Sequence, residues 1–560
     1  RGVTAQNCSI HRWMHPSETA GGHAGRTPCP EAWGGMADHQ MDLLVIGAGA
    51  SGASVAFEAT RRGLSVALLE AGDIAGGTSC RSTKLLHGGV RYLELAFKTL
   101  DLAQLRLVRE ALLERSHWLA QAPFLAQRLE LALPTQQLWG QAYYRLGLGM
   151  YDALAGQQSI GHSRLLSQQQ MRQALPLLKA CQGGVAYSDG QFDDARLNLL
   201  LALTAEQRGA TLRTRCRVVE LETGGTGQLK AAISESATGQ RERWCASAFV
   251  NATGIRADEI RQMAEVDAPP RMLTSRGAHI VLEQNLCPEG IGLLVPSTAD
   301  GRVLFMLPFH GRTLVGTTDE ACTTESATSP SQEEETYLLK YVQDWFPQLQ
   351  HPKVSSRWAG GRPLLKPANQ GMDSSRVVRE HEVETLACGL VSVMGGKWTT
   401  CRPMAEDTLA AVERQLGQAL PTPEPMPLRG AAESLEATLD GLQRQKHQLE
   451  ALLPDTALRA AQVAHLQSTY GLDAMALIEA AEPKRREPLS PVIPLCSAEL
   501  EHAIQREHAC SSSDVLARRC RLAMVDLNEA ERLRPQVEAL LDQAGVAAGS
   551  TSPINHQLNP

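Results

Sequence analysis

Aromatic residues make up only 4% of this 560-residue chain, so any local concentration of them stands out. No apolar run reaches the ~18 residues expected of a membrane-spanning helix. The thirteen cysteines include no Cys-x-x-Cys pair, which argues against both a zinc site and a disulfide framework and predicts free thiols in a reducing cytoplasm. Basic residues are outnumbered by acidic ones and the net charge is -7, which excludes a general nucleic-acid binder. With 43% hydrophobic and 21% charged residues the composition is that of a globular protein, and the length calls for two or three domains of ~100–200 residues each.

What is present is organised around residues 42–70, DLLVIGAGASGASVAFEATRRGLSVALLE. Leu43 to Ile46 read as a buried parallel strand that runs into Gly47, Gly49 and Gly52, and these open a helix of small residues, Ala53, Ala56 and Ala59. Arg61, Arg62 and Gly63 stop it. A second apolar strand, Val66 to Leu69, ends on Glu70, eighteen positions after Gly52 and close to the ~20 expected of the acid that binds a ribose hydroxyl. A bare Gly-x-Gly-x-x-Gly says little, but strand, helix, second strand and terminal acid together predict a dinucleotide site. Gly47 makes the tight turn, Gly49 admits backbone N–H groups to a pyrophosphate, and Gly52 lets helix and strand pack closely.

The chain continues GDIAGGTSCRSTKLLHGGVRYLE (72–94), and here it resembles the FAD-dependent glycerol-3-phosphate dehydrogenases, in which T-S-x-x-S-[ST]-K-L-x-H-G-G-x-R-Y-L follows the first βαβ unit. Later segments are similar to the same family in the same order: YSDGQFDDARL (187–197), FVNATG (249–254), GAHIVL (277–282), LVGTTD (314–319), GGRPLL (360–365) and VSVMGGKWTT (391–400). The resemblance spans about residues 40 to 530, with one departure: Ile255 and Arg256 stand where the family has Pro and Trp.

The resemblance implies an α/β fold, with an N-terminal Rossmann-like FAD-binding domain, an interleaved mixed-β substrate (cap) domain and a small C-terminal helical domain. The expected boundaries are a disordered or extraneous extension over 1–40, an oxidoreductase core over 41–420, a Pro-rich linker over 421–430 and a helical domain over 431–545. Within the core, FAD segments are expected at about 41–95, 187–260 and 385–420, and substrate segments at about 96–186 and 261–384. It also implies FAD as cofactor, held by Gly47, Gly49, Gly52, Glu70, Thr78, Ser79, Ser82, Lys84, Leu85, His87, Gly88, Gly89, Val218, Thr253, Gly254, Gly395, Gly396 and Lys397.

Elsewhere the reading is local. Residues 1–40 lack periodicity and a signal-peptide core, and read as extra sequence upstream of a start at Met36 or Met41. Cys8, His11, His15, His23 and Cys29 fit no standard finger, so no metal is expected. An amphipathic helix is predicted from Lys98 to Leu119, then four aromatics, Trp139, Tyr143, Tyr144 and Tyr151, fall within thirteen residues. They form either a hydrophobic lid or an interfacial patch, and the resemblance to an enzyme peripheral on the inner face of the cytoplasmic membrane favours the patch. Residues 272–365 alternate short apolar strands with turns and predict a mixed antiparallel sheet over the flavin. After PTPEPMP (421–427), periodicity predicts helices Leu435 to Leu452 and Val515 to Leu541, with Ser513 or Asp514 as N-cap of the second.

Oxidising a secondary alcohol needs a hydride acceptor, a base and anchors for the rest of the substrate. By the resemblance, Arg362, Arg379 and Lys397, with Arg91, Tyr92 and Thr317, line a pocket for glycerol 3-phosphate, an arginine fork suiting the phosphate. His279 is the preferred base and His87 the second choice, although each is as readily a buried structural histidine. The expected activity is oxidation of glycerol 3-phosphate to dihydroxyacetone phosphate, with electrons passed to a membrane quinone at a lipid surface, and a homodimer is compatible with it. The rivals are a glycerol-3-phosphate oxidase using oxygen, an amine or amino-acid oxidase of the same superfamily, and an idle flavoprotein.

Overall fold

The computed structural model describes residues 37–89, 102–296, 298, 301–366 and 381–546. Arg91, Tyr92 and Arg379 therefore lie outside the described residues, as do Cys8, His11, His15, His23 and Cys29 of the extension, whose last residues, 37–40, instead begin the first strand.

The apolar run at Leu43–Ile46 lies inside the strand Ala37–Ile46, at the middle of an eight-stranded sheet. It pairs in parallel with Val66–Leu69 on one side, Val45 opposite Leu68, and with Arg241–Asn251 on the other, Leu44 opposite Phe249. Arg241–Asn251 in turn pairs in parallel with Leu390–Gly395, so four strands separated widely in sequence end at one edge. The parallel centre of such a sheet must be covered on both faces, which is why Leu43–Ile46 and Val66–Leu69 are continuous, fully buried apolar runs. The helix Ala50–Arg61 is buried along most of its length, in a core shared with the helices Asp194–Gln207 and Cys401–Leu416.

The second sheet has ten strands and is mixed: Ile291–Val295 runs parallel to Ala126–Thr135, and the other pairings are antiparallel. Met272–Leu282 is flanked by Arg312–Gly316 and Val354–Leu365, with His279 opposite both Gly316 and Trp358 and Ser275 opposite Arg362. Because side chains alternate across a strand, Ser275, Gly277 and His279 share a face with Trp358, Gly360 and Arg362. This register brings the expected base and the expected anchor together.

The C-terminal part is helical as expected, and Leu435–Leu452 forms as read. The single helix expected over Val515 to Leu541 is instead broken into a π-helical turn Asp514–Arg519, a short helix Leu522–Val525 and a helix Leu527–Gln543. Arg521 adopts φ +67° and turns its buried guanidinium inward, and Asp526 caps the last helix by accepting from Glu529 N at 3.0 Å. The N-cap expected at Ser513 or Asp514 is not formed: Ser513 makes no cap, and the Asp514 carboxylate pairs with Arg215 and Arg518. Among the described residues no helix is long and apolar enough to cross a membrane.

Candidate functional site

The glycine turn is built as its sequence requires. Gly47 has φ +101°, and a Cβ there would lie 2.7 Å from the carbonyl oxygen of Ala252 at the end of the neighbouring strand. A Cβ on Gly52 would fall onto the carbonyl oxygen of Gly47, so this is the position of closest helix-to-strand approach. Gly49 differs: its backbone is ordinary at φ -74°, and the nearest atom to an added Cβ is Ser79 Oγ at 3.1 Å. Glu70 Oε2 accepts from Ala48 N at 2.8 Å and Oε1 from Gly72 N at 2.7 Å, which aims the carboxylate at the turn. Burial raises its pKa and the two N–H groups oppose the rise. Ser79 Oγ accepts from Ala50 N at 2.9 Å, while Asn198 Nδ2 donates to Ala48 O at 3.0 Å and leaves its own buried Oδ1 without a partner among the described residues. On the adjoining strands, Thr253 Oγ1 donates to Asn251 Oδ1 at 2.7 Å, Gly254 has φ +59°, and Val218 is buried at an irregularity of its strand. Bare turn, acid and an unpartnered amide oxygen fit an adenine dinucleotide.

The loop that follows connects the two sheets. Thr78 Oγ1 donates to Gly361 O at 2.5 Å and Trp398 Nε1 to Ser79 O at 3.2 Å, tying Thr78–Cys80 to the Arg362 strand and to the Gly395–Lys397 turn. Gly395 and Gly396 have φ +75° and +78°, and a Cβ on Gly396 would overlap Met404 Sδ. Lys397 is half-buried beside them. Leu85 pairs with Gln191, His87 is half-buried, and Gly88 N donates to the hydroxyl of buried Tyr151 at 2.8 Å; Gly89 has φ +80°. Ser82 and Lys84 turn inward. Asp194 accepts from Ser82 N at 3.0 Å, Ser82 Oγ at 2.7 Å, Lys84 Nζ at 2.7 Å and Arg521 Nη2 at 3.0 Å. Burial, then the nearby Arg521 cation, pushes the Lys84 ammonium down to about 8, with Asp194 opposing.

On the shared face of the second sheet, Arg362 donates from Nη2 to Thr318 O at 2.9 Å and Thr317 Oγ1 at 3.1 Å, and from Nη1 to Asp319 Oδ1 at 3.2 Å. The buried His279 ring stacks on Trp358, centroids 4.2 Å apart, and the Lys84 ammonium sits 4.5 Å from a Trp358 ring centroid. His279 Nε2 is 3.0 Å from Thr83 Oγ1. A Cβ on Gly316 would strike the His279 ring, so the glycine makes room for it. Burial first, then the cations Lys84 and Arg362, holds the imidazole well below its usual pKa, so it is neutral and can accept a proton. Ile255, at the departure from the family motif, reaches toward the bare Gly361 and packs this junction.

The expected residues His279, Arg362, Thr317 and Lys84 thus meet on one face, and Thr78 and Ser79 link that face to the glycine turn. Sequence reasoning missed Thr83, Asn198, Asp194 and Trp358. Asp194 and Asn198 carried a signal, the first in the quoted motif DGQFDDARL and the second next beyond it. The aromatic helix Leu138–Ala155 splits its cluster: Tyr151 is buried, Tyr144 is half-buried, and Trp139 and Tyr143 are 70% and 48% exposed, with Leu146 68% exposed beside them.

The sequence matches the FAD dependent oxidoreductase family over residues 42–410 and the C-terminal domain of alpha-glycerophosphate oxidase over residues 423–545. It is 38% identical over 525 residues to the mitochondrial glycerol-3-phosphate dehydrogenase of Arabidopsis thaliana, a match covering 90% of this chain and 83% of that one. The mitochondrial glycerol-3-phosphate dehydrogenase of Homo sapiens is 36% identical over 521 residues, covering 90% of this chain and 70% of its own. Among solved structures, the glycerol-3-phosphate dehydrogenase from Bacillus halodurans complexed with FAD aligns over 94% of each chain, with a TM-score of 0.71 and 25% identity.

Proposed function

Since the chain belongs to the FAD-dependent oxidoreductases, among the glycerol-3-phosphate dehydrogenases, and FAD is its cofactor, we propose that it oxidises sn-glycerol 3-phosphate to dihydroxyacetone phosphate and delivers the electrons to a membrane quinone. The observation that carries this reading is Arg362, laid across the bare backbone of Gly277 next to Thr317, on the same sheet face as a neutral, buried His279.

The Gly47–Gly52 turn and Glu70 would hold FAD, which would supply the hydride acceptor. Arg362, with Arg379 and Lys397, Arg91 and Tyr92, binds the phosphate, and the arginine fork gives it two parallel hydrogen bonds. Thr317 hydrogen-bonds the substrate from the strand end. His279 takes the hydroxyl proton as the hydride leaves the carbinol carbon, and burial excludes water from that proton. The second candidate base, His87, lies on the turn that Tyr151 holds.

For the acceptor side, we infer reversible attachment to a lipid surface on the inner face of the cytoplasmic membrane through Trp139, Tyr143 and Leu146, where rings suited to the headgroup boundary stand exposed on one helix face. The alternative that shares the first half-reaction is an oxidase using oxygen. Turnover of glycerol 3-phosphate with a soluble quinone and with air separates the two. Quinone reduction with little hydrogen peroxide is expected; stoichiometric peroxide and no quinone reduction would favour the oxidase.

A further inference from the structure

Resting on the reading of Glu70 as the acid for the FAD ribose, we propose that the C-terminal helical segment belongs to the cofactor site: Arg518 and Arg519 are positioning residues that hold the Glu70–Gly76 loop against the glycine turn through Asp73.

One set of bonds ties this loop to the turn. Glu70 Oε2 accepts from Ala48 N at 2.8 Å, and Ala75 N donates to Ala48 O at 3.1 Å, so both ends of the loop meet the same residue. A second set ties the middle of the loop to the C-terminal segment. The buried Asp73 carboxylate accepts from Arg519 Nη2 at 2.7 Å, from Arg519 Nη1 at 2.8 Å and from Arg518 Nε. Among the described residues these are its only donors, and they come from 445 and 446 positions away. Burial would raise the Asp73 pKa, but Arg519 and Arg518 outweigh it and hold the carboxyl well below its usual range.

The arginines are fixed in their turn. Arg519 donates from Nε and Nη2 to Glu507 O, at 3.1 and 2.6 Å, and Arg518 Nη2 bonds to Asp514. Asp514 also accepts from Arg215 Nη2 at 2.6 and 2.7 Å, and Arg215 N donates to Gly72 O at 2.9 Å. Gly72 N is the donor to Glu70 Oε1. The segment therefore reaches the loop twice, at Asp73 directly and at Gly72 by way of Arg215. Charge links the same groups: beyond burial and its two N–H donors, Glu70 feels Asp73, which raises its pKa, and Arg215, which lowers it. An Asp73 stripped of its arginines would set an unbalanced carboxylate beside the acid and release the loop that carries it. A cofactor ligand is placed only as firmly as the shell behind it, and here half of that shell is C-terminal.

The test is binding of FAD and of ADP, by titration calorimetry, to the full chain freed of flavin. The parent is compared with Arg519→Met, Asp73→Asn, the two combined, Glu70→Gln and Arg312→Met. Arg312 pairs with Asp526 and ties the same segment to the second sheet, so its loss loosens the segment without touching the loop. Arg519→Met and Asp73→Asn should each weaken FAD and ADP about 10- to 100-fold, by a similar factor for both ligands. The combined variant should be little weaker than either alone, because the two residues act through one another. Arg312→Met should bind as the parent does. Weaker binding in Arg519→Met with tighter binding in Asp73→Asn would overturn the proposal, that being the pattern of a diffuse positive field acting on the pyrophosphate. Equal weakening in Arg312→Met would overturn it as well, since any loosening of the segment would then suffice. Parent-like binding in Glu70→Gln would remove the reading of the acid, and the role of the arginines with it. Weak binding in Glu70→Gln beside parent-like Arg519→Met and Asp73→Asn would overturn the proposal alone. Should Asp73→Asn not fold, Asp73→Glu keeps the charge and displaces the loop by a methylene: weakened binding of both ligands is expected, and parent-like binding would overturn the proposal.

Discussion

Gly277 has no side chain because Arg362 occupies the place of one: a Cβ there would lie 2.5 Å from Arg362 Nη2 and 2.6 Å from Thr317 Oγ1. The guanidinium reaches the neighbouring strand at Gly277, two residues beyond its own register partner Ser275. Gly277→Ala should therefore lift Arg362 off the strand. The expected result is a loss of about 10- to 100-fold in kcat/KM for glycerol 3-phosphate, carried mainly by KM, with flavin content unchanged. Steady-state kinetics on the flavin-loaded variant checks it.

The glycine turn makes a graded prediction. An added methyl at Gly52 meets the Gly47 carbonyl oxygen, which cannot move without distorting the strand end, whereas at Gly49 it meets only the Ser79 hydroxyl at 3.1 Å. Gly52→Ala should lose stability and FAD together. Gly49→Ala should keep the fold and weaken FAD alone, and Gly49→Val should abolish FAD retention, because bulk at that position obstructs the pyrophosphate approach. The ratio of flavin absorbance to protein absorbance and the melting temperature separate the two behaviours.

Asp194→Asn should be costly for a different reason. The buried carboxylate serves Lys84 and Arg521 at once, and its neutral replacement leaves the buried Lys84 ammonium without its counter-charge and Arg521 with only the Asp193 carboxylate, 3.6 Å away. Breaking a buried pair of this kind costs about 3–5 kcal/mol. Urea unfolding of the flavin-loaded protein should show a fall of that size, and a change within the error of the parent would contradict the role assigned to Asp194.

Much of the fold was legible because its signals are local. The glycine turn, its two strands and Glu70 lie within thirty residues, and the structure has them where the sequence puts them. What was not legible depends on contacts between distant segments. Arg362 and His279 were visible as motif residues, but their meeting follows from the register of three strands. Asp194 gathers partners 110 and 327 positions away, and no spacing rule reaches that far. The helix expected over Val515 to Leu541 failed because apolar periodicity cannot see Arg521 turning back toward Asp194. The aromatic cluster divided because helical geometry carries Trp139, Tyr143 and Leu146 to one face and Tyr144 and Tyr151 to the other.

That division gives a prediction for the lipid surface. Changing Trp139, Tyr143 and Leu146 together to Ser removes the exposed face and leaves Tyr151 and its bond to Gly88 N in place. Flotation with anionic lipid vesicles should weaken while reduction by glycerol 3-phosphate in detergent stays at the parent rate. Undiminished flotation would mean that another surface meets the membrane.

The histidine predicts the pH dependence. Burial and the two cations lower the His279 pKa in the free protein, so the neutral, proton-accepting form persists to lower pH than for an ordinary imidazole. The acidic limb of kcat/KM, which reports the free enzyme, should accordingly fall below pH ~6.5, and in kcat it should lie higher, because bound phosphate offsets the cations. A limb at the same pH in both, at or above ~6.5, would contradict the assignment of His279.

The most direct measurement of the central claim is anaerobic bleaching of the bound flavin by glycerol 3-phosphate and by glycerol, in the parent and in Arg362→Lys. An ammonium keeps the charge but loses the two-pronged contact, and glycerol lacks the group that the cations bind. The account predicts rapid bleaching of the parent by glycerol 3-phosphate, reduction at least ~100-fold less efficient with glycerol, and a marked loss in Arg362→Lys. Comparable bleaching by the two substrates, or an Arg362→Lys variant as efficient as the parent, would contradict it.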